Sequence, residues 1–108
     1  MTITEKYIAK ILPYLDDDIK IELVNGLQTY NFDCPWCSMY SNKEKSKRKK
    51  SAYLRPVQDS FEYRFVCMRS YSPECRRIHG GRSFYNFLAM YNPHLFEQYK
   101  KELETLRT

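Results

Sequence analysis

The stretch Cys34-Pro-Trp-Cys37 decides how this chain folds, together with Cys67 and Cys75 farther along. These are the only four cysteines in a chain of 108 residues. Two thiolates separated by two residues can bind one metal ion from a single tight turn, in which proline restricts the backbone and backbone N–H groups donate to sulfur. A second pair completes a tetrahedral set of sulfur ligands, which is typical of structural zinc. We therefore predict one structural zinc ion held by Cys34, Cys37, Cys67 and Cys75.

The second cysteine pair departs from the usual spacing, because seven residues separate Cys67 from Cys75. The longer loop admits a rival fourth ligand, His79, four residues after Cys75. A redox-active pair can use a motif like Cys34-Pro-Trp-Cys37, but it normally begins a helix in a fold of alternating strands and helices. That context is absent here, so we favour metal ligation, with His79 in place of Cys75 left open.

The segments around the cysteines have the pattern of antiparallel hairpins. Residues 19–24 alternate apolar and polar side chains and run into Asn25-Gly26, the dipeptide that most favours a two-residue turn. Residues 27–32 then lead as a strand into Cys34. As an alternative, residues 16–18 could cap a second helix that ends at Gly26.

A second hairpin is predicted between the basic run and Cys67. Residues 51–55 form its first strand, and Phe61-Glu-Tyr-Arg-Phe-Val-Cys67 forms its second. In the second strand Phe61, Tyr63, Phe65 and Cys67 share one face, because side chains alternate along a strand.

Three helices are predicted to flank these hairpins. Residues 4–15 have helical spacing, with Pro13 weakening the last turn. Ser83 can cap a short helix, and Asn92-Pro93 ends that helix and starts another. The apolar stripes of the three helices are Tyr7, Ile8, Ile11, Leu12 and Leu15; Phe84, Phe87, Leu88 and Tyr91; and Leu95, Phe96, Tyr99, Leu103 and Leu106.

These elements together predict an α+β fold, a small zinc ribbon of antiparallel hairpins flanked by an N-terminal helix and two C-terminal helices. The length is that of one domain. We expect a single zinc-ribbon domain over residues 1–108. Within it, residues 1–29 form the N-terminal helix and hairpin, residues 30–78 the zinc ribbon, and residues 83–107 the helical tail.

The net charge of +5 is concentrated in residues 43–50, where six basic residues accompany one acidic residue. Such a cluster is typical of a polyanion site, most often for nucleic acid, although it also occurs in solvated loops. Around the second hairpin we expect Arg55, Arg64 and Arg69 on the solvent face and Tyr63 packed inward. Because cationic and aromatic side chains together bind single strands, we predict a single-stranded nucleic-acid surface. Its residues are Lys45, Lys47, Arg48, Lys49, Lys50, Tyr53, Arg55, Arg64 and Arg69.

Catalytic motifs are not evident in the sequence, so we expect a protein that is not an enzyme. Four protein ligands leave a structural zinc ion no open position for substrate. The chain has no glycine-rich phosphate loop and no conspicuous Ser–His or Cys–His motif. We expect Asp16-Asp17-Asp18 to form a solvated turn or cap rather than a metal cluster. Charges interrupt the first residues, so neither a signal peptide nor a membrane span is expected, and the protein should stay in a reducing interior.

The order of motifs carries a family resemblance over roughly residues 30–102. A strand enters Cys34-Pro-Trp-Cys37, a basic run leads to Lys50-Ser-Ala-Tyr-Leu54, and a further strand ends in Phe65-Val-Cys67. Phe84-Tyr-Asn-Phe-Leu88 and Asn92-Pro-His-Leu-Phe-Glu-Gln-Tyr99 follow. This arrangement resembles the zinc-binding N-terminal domain of bacteriophage DNA primases.

In that family the domain is a zinc ribbon that contacts single-stranded template and helps to choose the priming site, while a separate polymerase domain joins the nucleotides. The resemblance implies that the four cysteines are the zinc ligands and that Lys50 and Arg55 lie near the template-facing hairpin. No polymerase domain follows Thr108, so we expect a free-standing relative or a domain whose catalytic partner is another chain.

The resemblance thus implies a protein that binds single-stranded DNA in a replication assembly, in the cytoplasm of an infected bacterial host. A second hypothesis is an adaptor that docks onto a larger replication, transcription or other complex through its zinc ribbon and C-terminal helices. Some of the aromatic residues of the C-terminal helices would form its docking surface, namely residues among Phe84, Phe87, Tyr91, Phe96 and Tyr99. A third is a transcription regulator that reads duplex DNA.

Overall fold

The computed structural model describes residues 2–37, 50–57, 62–68, 75 and 81–107. Helix α1 spans Ile3–Leu15. It begins at Thr2, whose side-chain oxygen accepts a hydrogen bond from the Glu5 N–H at 3.1 Å. Because apolar residues recur at helical spacing, one face of α1 is buried, and the helix predicted over residues 4–15 is confirmed.

Within the part of the chain that the structure describes, five antiparallel strands form one sheet in which the spatial order follows the chain order. The strands are β1 at Lys20–Val24, β2 at Leu27–Phe32, β3 at Ala52–Pro56, β4 at Tyr63–Cys67 and β5 at Arg82–Ser83. Since β2 pairs with both β1 and β3, the N-terminal hairpin and the cysteine-bearing strands share this sheet. The two-residue strand β5 was not anticipated from the sequence.

The turn between β1 and β2 confirms the hairpin predicted at Asn25-Gly26. Asn25 has φ of 53° and Gly26 has φ of 81°, as a type I′ turn requires at both central positions. The alternative helix ending at Gly26 is therefore wrong. Asp16 does not begin a helix but lies directly after the end of α1.

The sheet has two unlike faces. Strand register places Tyr30 and Leu54 in one row with Phe65, and these side chains are buried against the helices. We call this side the core face. Arg55 and Arg64, which alternate with these residues, lie on the opposite side, which we call the open face.

Two helices follow the sheet, α2 at Phe84–Tyr91 and α3 at Pro93–Arg107. Both predicted caps are confirmed: the Ser83 hydroxyl accepts from the Asn86 N–H at 3.2 Å, and the Asn92 side-chain oxygen accepts from the Leu95 N–H at 3.1 Å. Helix α2 packs on β4 and β5, and α3 packs on α1 and α2.

The apolar stripe predicted for α3 is wrong at its last position, because Leu106 is 73% exposed. Its neighbours Glu104 and Thr105 are exposed too, so this end of α3 extends beyond the core on which the helix packs. Instead Glu102 accepts hydrogen bonds from Lys6 and Tyr7 of α1, both at 2.8 Å.

The predicted α+β fold class is confirmed, with an N-terminal helix, a sheet of antiparallel hairpins and two C-terminal helices. Among the described residues, no helix combines the length and apolar character that crossing a membrane would require.

Candidate functional site

The four cysteines converge at one end of the core face. Cys34 and Cys37 lie in the turn that follows β2, and Cys67 is the last residue of β4. The Cys34 Sγ lies 3.5 Å from the Cys75 Sγ, and the Cys37 Sγ lies 3.5 Å from the Cys67 Sγ. All four sulfur atoms lie within 4.8 Å of one another.

This sulfur cluster has the size of a metal site. Four sulfur ligands about 2.3 Å from a tetrahedral zinc ion lie about 3.8 Å apart, which falls within the observed spread. None of the four cysteines forms a disulfide. Cys34, Cys37 and Cys75 are buried, and Cys67 is partly buried. The four cysteines could therefore hold one metal ion, and Cys75 belongs to the group. The rival fourth ligand, His79, lies outside the described residues.

The turn between the first two cysteines has the hydrogen bond expected of a metal-binding turn. The Cys37 N–H donates to the Cys34 Sγ at 3.5 Å, as predicted for the Cys34-Pro-Trp-Cys37 motif. The neighbouring Cys67 thiol and burial both raise the pKa of the Cys34 thiol. A bound cation favours the thiolate form instead, so metal binding would release the Cys34 proton.

Trp36 anchors the cysteine turn to the core, a role that the sequence reasoning missed. Its ring meets the rings of Phe65, Phe87 and Tyr91 edge to face, with centroid distances of 5.5, 5.6 and 6.2 Å. These contacts tie the turn to β4 and α2. The available signal was the position of the only tryptophan of the chain between two cysteines.

Asp16 is a buried anchor beside the cysteine turn: it caps the end of α1 and forms a turn with Asp18, as expected, but it is not solvated. Asp16 as a whole is 4% exposed, whereas the Asp18 side chain is 85% exposed. The two Asp16 carboxylate oxygens accept from the N–H groups of Asp18 and Asp33, both at 3.0 Å, and from the Lys50 ammonium at 2.9 Å. Through the Asp33 N–H, Asp16 thus joins the end of α1 to the backbone next to Cys34.

The electrostatics of Asp16 reflect these partners. Burial by itself raises the pKa of the carboxyl group. Hydrogen bonds from Lys50, Asp33 and Asp18 outweigh that effect and hold the pKa of Asp16 well below its usual range. Lys50, which the sequence places among the nucleic-acid contacts, thus has its charge balanced within the fold.

Three of the predicted nucleic-acid residues lie on the open face. Arg55 and Arg64 are directly opposite each other on β3 and β4. The Arg55 Cζ lies 4.4 Å from the centroid of the Tyr53 ring, and Arg64 donates to the Gly81 carbonyl at 3.0 Å. Tyr63 is buried, as predicted. The remaining predicted contacts, Lys45, Lys47, Arg48, Lys49 and Arg69, lie outside the described residues.

An open groove of about 760 Å³ lies beside Tyr53 and Arg55. Leu27, Thr29 and Glu22 line its other side. The groove therefore brings an aromatic ring, a guanidinium group and an apolar side chain to one surface.

The aromatic residues suggested for an adaptor surface belong to the core. Phe84, Phe87 and Tyr99 are buried, and Tyr91 and Phe96 pack against them while partly exposed. The excess of rings on these two helices is thus explained by packing.

Comparison of this chain with protein-family models, with curated proteins and with solved structures finds no match. The assignment of its site therefore rests on the geometry of its own residues.

Proposed function

We propose that this protein is a zinc-ribbon module that binds single-stranded DNA on the open face of its sheet. The observation that carries the metal part is the convergence of four cysteine sulfur atoms within 4.8 Å. Soft thiolate ligands in a tetrahedral set select zinc or iron–sulfur chemistry, and zinc is the usual choice for one isolated four-cysteine site.

The metal would act as a clamp rather than as a catalyst. All four ligand positions come from the protein, which leaves none for substrate. The clamp joins the turn after β2 to the end of β4 and to Cys75, which lies 41 residues from Cys34. Residues 38–49 carry most of the basic run. They connect Cys37 of the cluster to Lys50, whose ammonium group donates a hydrogen bond to Asp16.

The open face supports the nucleic-acid part of the proposal. Arg55 and Arg64 lie directly opposite each other on neighbouring strands, where like charges repel. A phosphate group between them would offset that repulsion. The Tyr53 ring beside them would offer a surface on which a base can stack.

The family resemblance extends this proposal to a biological setting. Like the zinc-binding domain of phage primases, the module would bind the template strand within a replication assembly whose catalytic centre is elsewhere. The adaptor role stays a hypothesis; the burial of Phe84, Phe87 and Tyr99 weakens one argument for it.

Binding of a fluorescently labelled oligothymidylate, followed by anisotropy at several salt concentrations, tests the proposal. We expect affinity to fall steeply with salt, and Arg55→Gln to reduce the slope of log affinity against log salt by about 0.7, the value for one phosphate contact on a single strand. Lys101→Gln, on an exposed position of α3, removes the same charge and should leave the slope unchanged.

Two outcomes would overturn the nucleic-acid proposal. One is the absence of binding at low salt, which would favour the adaptor. The other is equal behaviour of Arg55→Gln and Lys101→Gln. Tighter binding of duplex than of single-stranded DNA would favour the transcription regulator instead.

A further inference from the structure

The outer edge of the sheet at β1 is exposed, and its apolar side chains alternate with charged ones. Every residue of β1 is exposed, with Ile21 at 55% and Leu23 at 71%. Register places Ile21 beside Tyr30, so Ile21 lies on the core-face side of the sheet, beyond the part that the helices cover. An uncovered apolar edge strand is a template for pairing with another strand.

The backbone of β1 is oriented for such pairing. Val24 and Leu27 flank the two-residue turn and exchange hydrogen bonds across it. Because bonded and non-bonded pairs alternate in an antiparallel ladder, Lys20 and Glu22 also bond to β2. The N–H and C=O groups of Ile21 therefore point to the outer edge, where the described sheet has no further strand.

The charges of β1 select a partner and a register. Among the antiparallel registers of two β1 strands, the one that places Ile21 opposite Ile21 is the one that sets each Lys20 opposite Glu22 of the second copy. With Ile21 opposite Leu23, Glu22 faces Glu22, and with Ile21 opposite Ile19, Lys20 faces Lys20; both arrangements are repulsive.

We propose that β1 pairs with β1 of a second copy around a twofold axis at Ile21, which joins the two sheets into one. On the open-face side two Lys20–Glu22 pairs form. On the core-face side Ile19 meets Leu23 of the second copy, and Ile21 meets Ile21. One strand thus offers a self-complementary edge in backbone bonding, apolar contact and charge. The inference does not depend on nucleic-acid binding.

The interface is one short strand from each copy, so the dimer is expected to be weak and concentration-dependent. Sedimentation equilibrium of the zinc-loaded wild-type chain over a wide range of concentrations measures its dissociation constant. Ile21→Lys places two like charges at the axis and should leave only monomer.

A charge exchange tests the register. Lys20→Glu should weaken the dimer by at least about tenfold, because both ionic pairs become repulsive. The double variant Lys20→Glu, Glu22→Lys should restore it, whereas Lys101→Glu on α3 should have no effect. Zinc content and circular dichroism establish that each variant is folded.

Three results would overturn the inference. They are a wild-type monomer at every concentration, a dimer that Ile21→Lys does not weaken, and a double variant that is folded but does not regain the dimer. A dimer strengthened by Glu22→Gln would place Glu22 opposite itself and contradict the proposed register.

Discussion

The core face and the open face of the sheet are built from the same strands but serve different purposes. On β3 and β4, Leu54 and Phe65 are fully buried on the core face. Arg55 and Arg64, their neighbours along the chain, are exposed on the open face. The sulfur cluster lies with the core face, and the cationic pair lies away from it. Alternation along a strand thus separates the residues that hold the fold from those available to a ligand.

The difference between the faces predicts which substitutions change the stability of the fold and which change ligand binding. Changes at the sulfur cluster or beside it should act on stability, because most of those side chains are buried. Changes on the open face should act on binding and leave stability nearly unaltered.

The largest effect is expected from Cys37→Ser. Structural zinc contributes about 10 kcal/mol or more in small zinc domains, which is comparable to the whole stability of a domain this size. The variant should lose zinc and its cooperative unfolding transition, measured by elemental analysis and circular dichroism. Met68→Ser, an exposed position next to Cys67, is the matched control and should keep both. A folded, cooperative Cys37→Ser protein would show that the cluster does not hold the fold.

A second effect is expected at the ion pair beside the cluster. Lys50→Met leaves the buried Asp16 carboxylate without its cation and should cost about 3 kcal/mol in urea unfolding. Asp18→Asn alters the exposed, 3.7 Å partner of the same lysine and should cost less than about 1 kcal/mol. Equal losses of unfolding free energy in the two variants would show that burial does not set the contribution of the Lys50–Asp16 pair to stability.

The same pair predicts a pH dependence. Because the pKa of Asp16 is lower in the folded than in the unfolded chain, its stabilisation is present above the unfolded pKa and is lost as the pH falls toward the folded value. The stability gap between wild type and Asp16→Asn should therefore be constant near neutral pH and narrow below about pH 5. A gap that widens with acid would contradict the sign of this shift.

A smaller effect is expected where β5 approaches β4. Gly81 has φ of 96°, and a Cβ there would lie 2.5 Å from the Phe65 carbonyl oxygen. Gly81→Ala should therefore cost about 2 kcal/mol in the free energy of unfolding. Gly26→Ala meets open space at φ of 81° and should cost about 1 kcal/mol. If Gly26→Ala costs as much, the close approach at Gly81 is not the cause.

The smallest effect on stability is expected from Arg55→Gln. Removing its repulsion with Arg64 offsets the loss of its contact with Tyr53, so the free energy of unfolding should change by less than about 0.5 kcal/mol. Thermal unfolding in the absence of DNA measures this change. A large destabilisation would mean that the open face also holds the fold.

Local patterns predicted most of the secondary structure. The spacing in α1, the Asn25-Gly26 turn and the caps at Ser83 and Asn92 depend on neighbours a few residues away, and each is confirmed. The cysteine pairs were also visible in the sequence, and the fold brings them together.

The features that the sequence did not predict depend on contacts between residues far apart in the chain. Asp16 resembles an ordinary helix-end aspartate until the fold brings Lys50 and Asp33 to it. Trp36 gains its role only where the turn meets β4 and α2. The exposure of Ile21 depends on how far the helices extend over the sheet, which alternation along β1 does not reveal.

Metal content tests the central claim most directly. The purified, reduced chain should contain one zinc ion per molecule by elemental analysis, and its four cysteines should resist thiol reagents until the zinc is removed by a chelator. Loss of the metal should coincide with unfolding. A folded chain that contains no metal and whose four thiols all react would contradict the account.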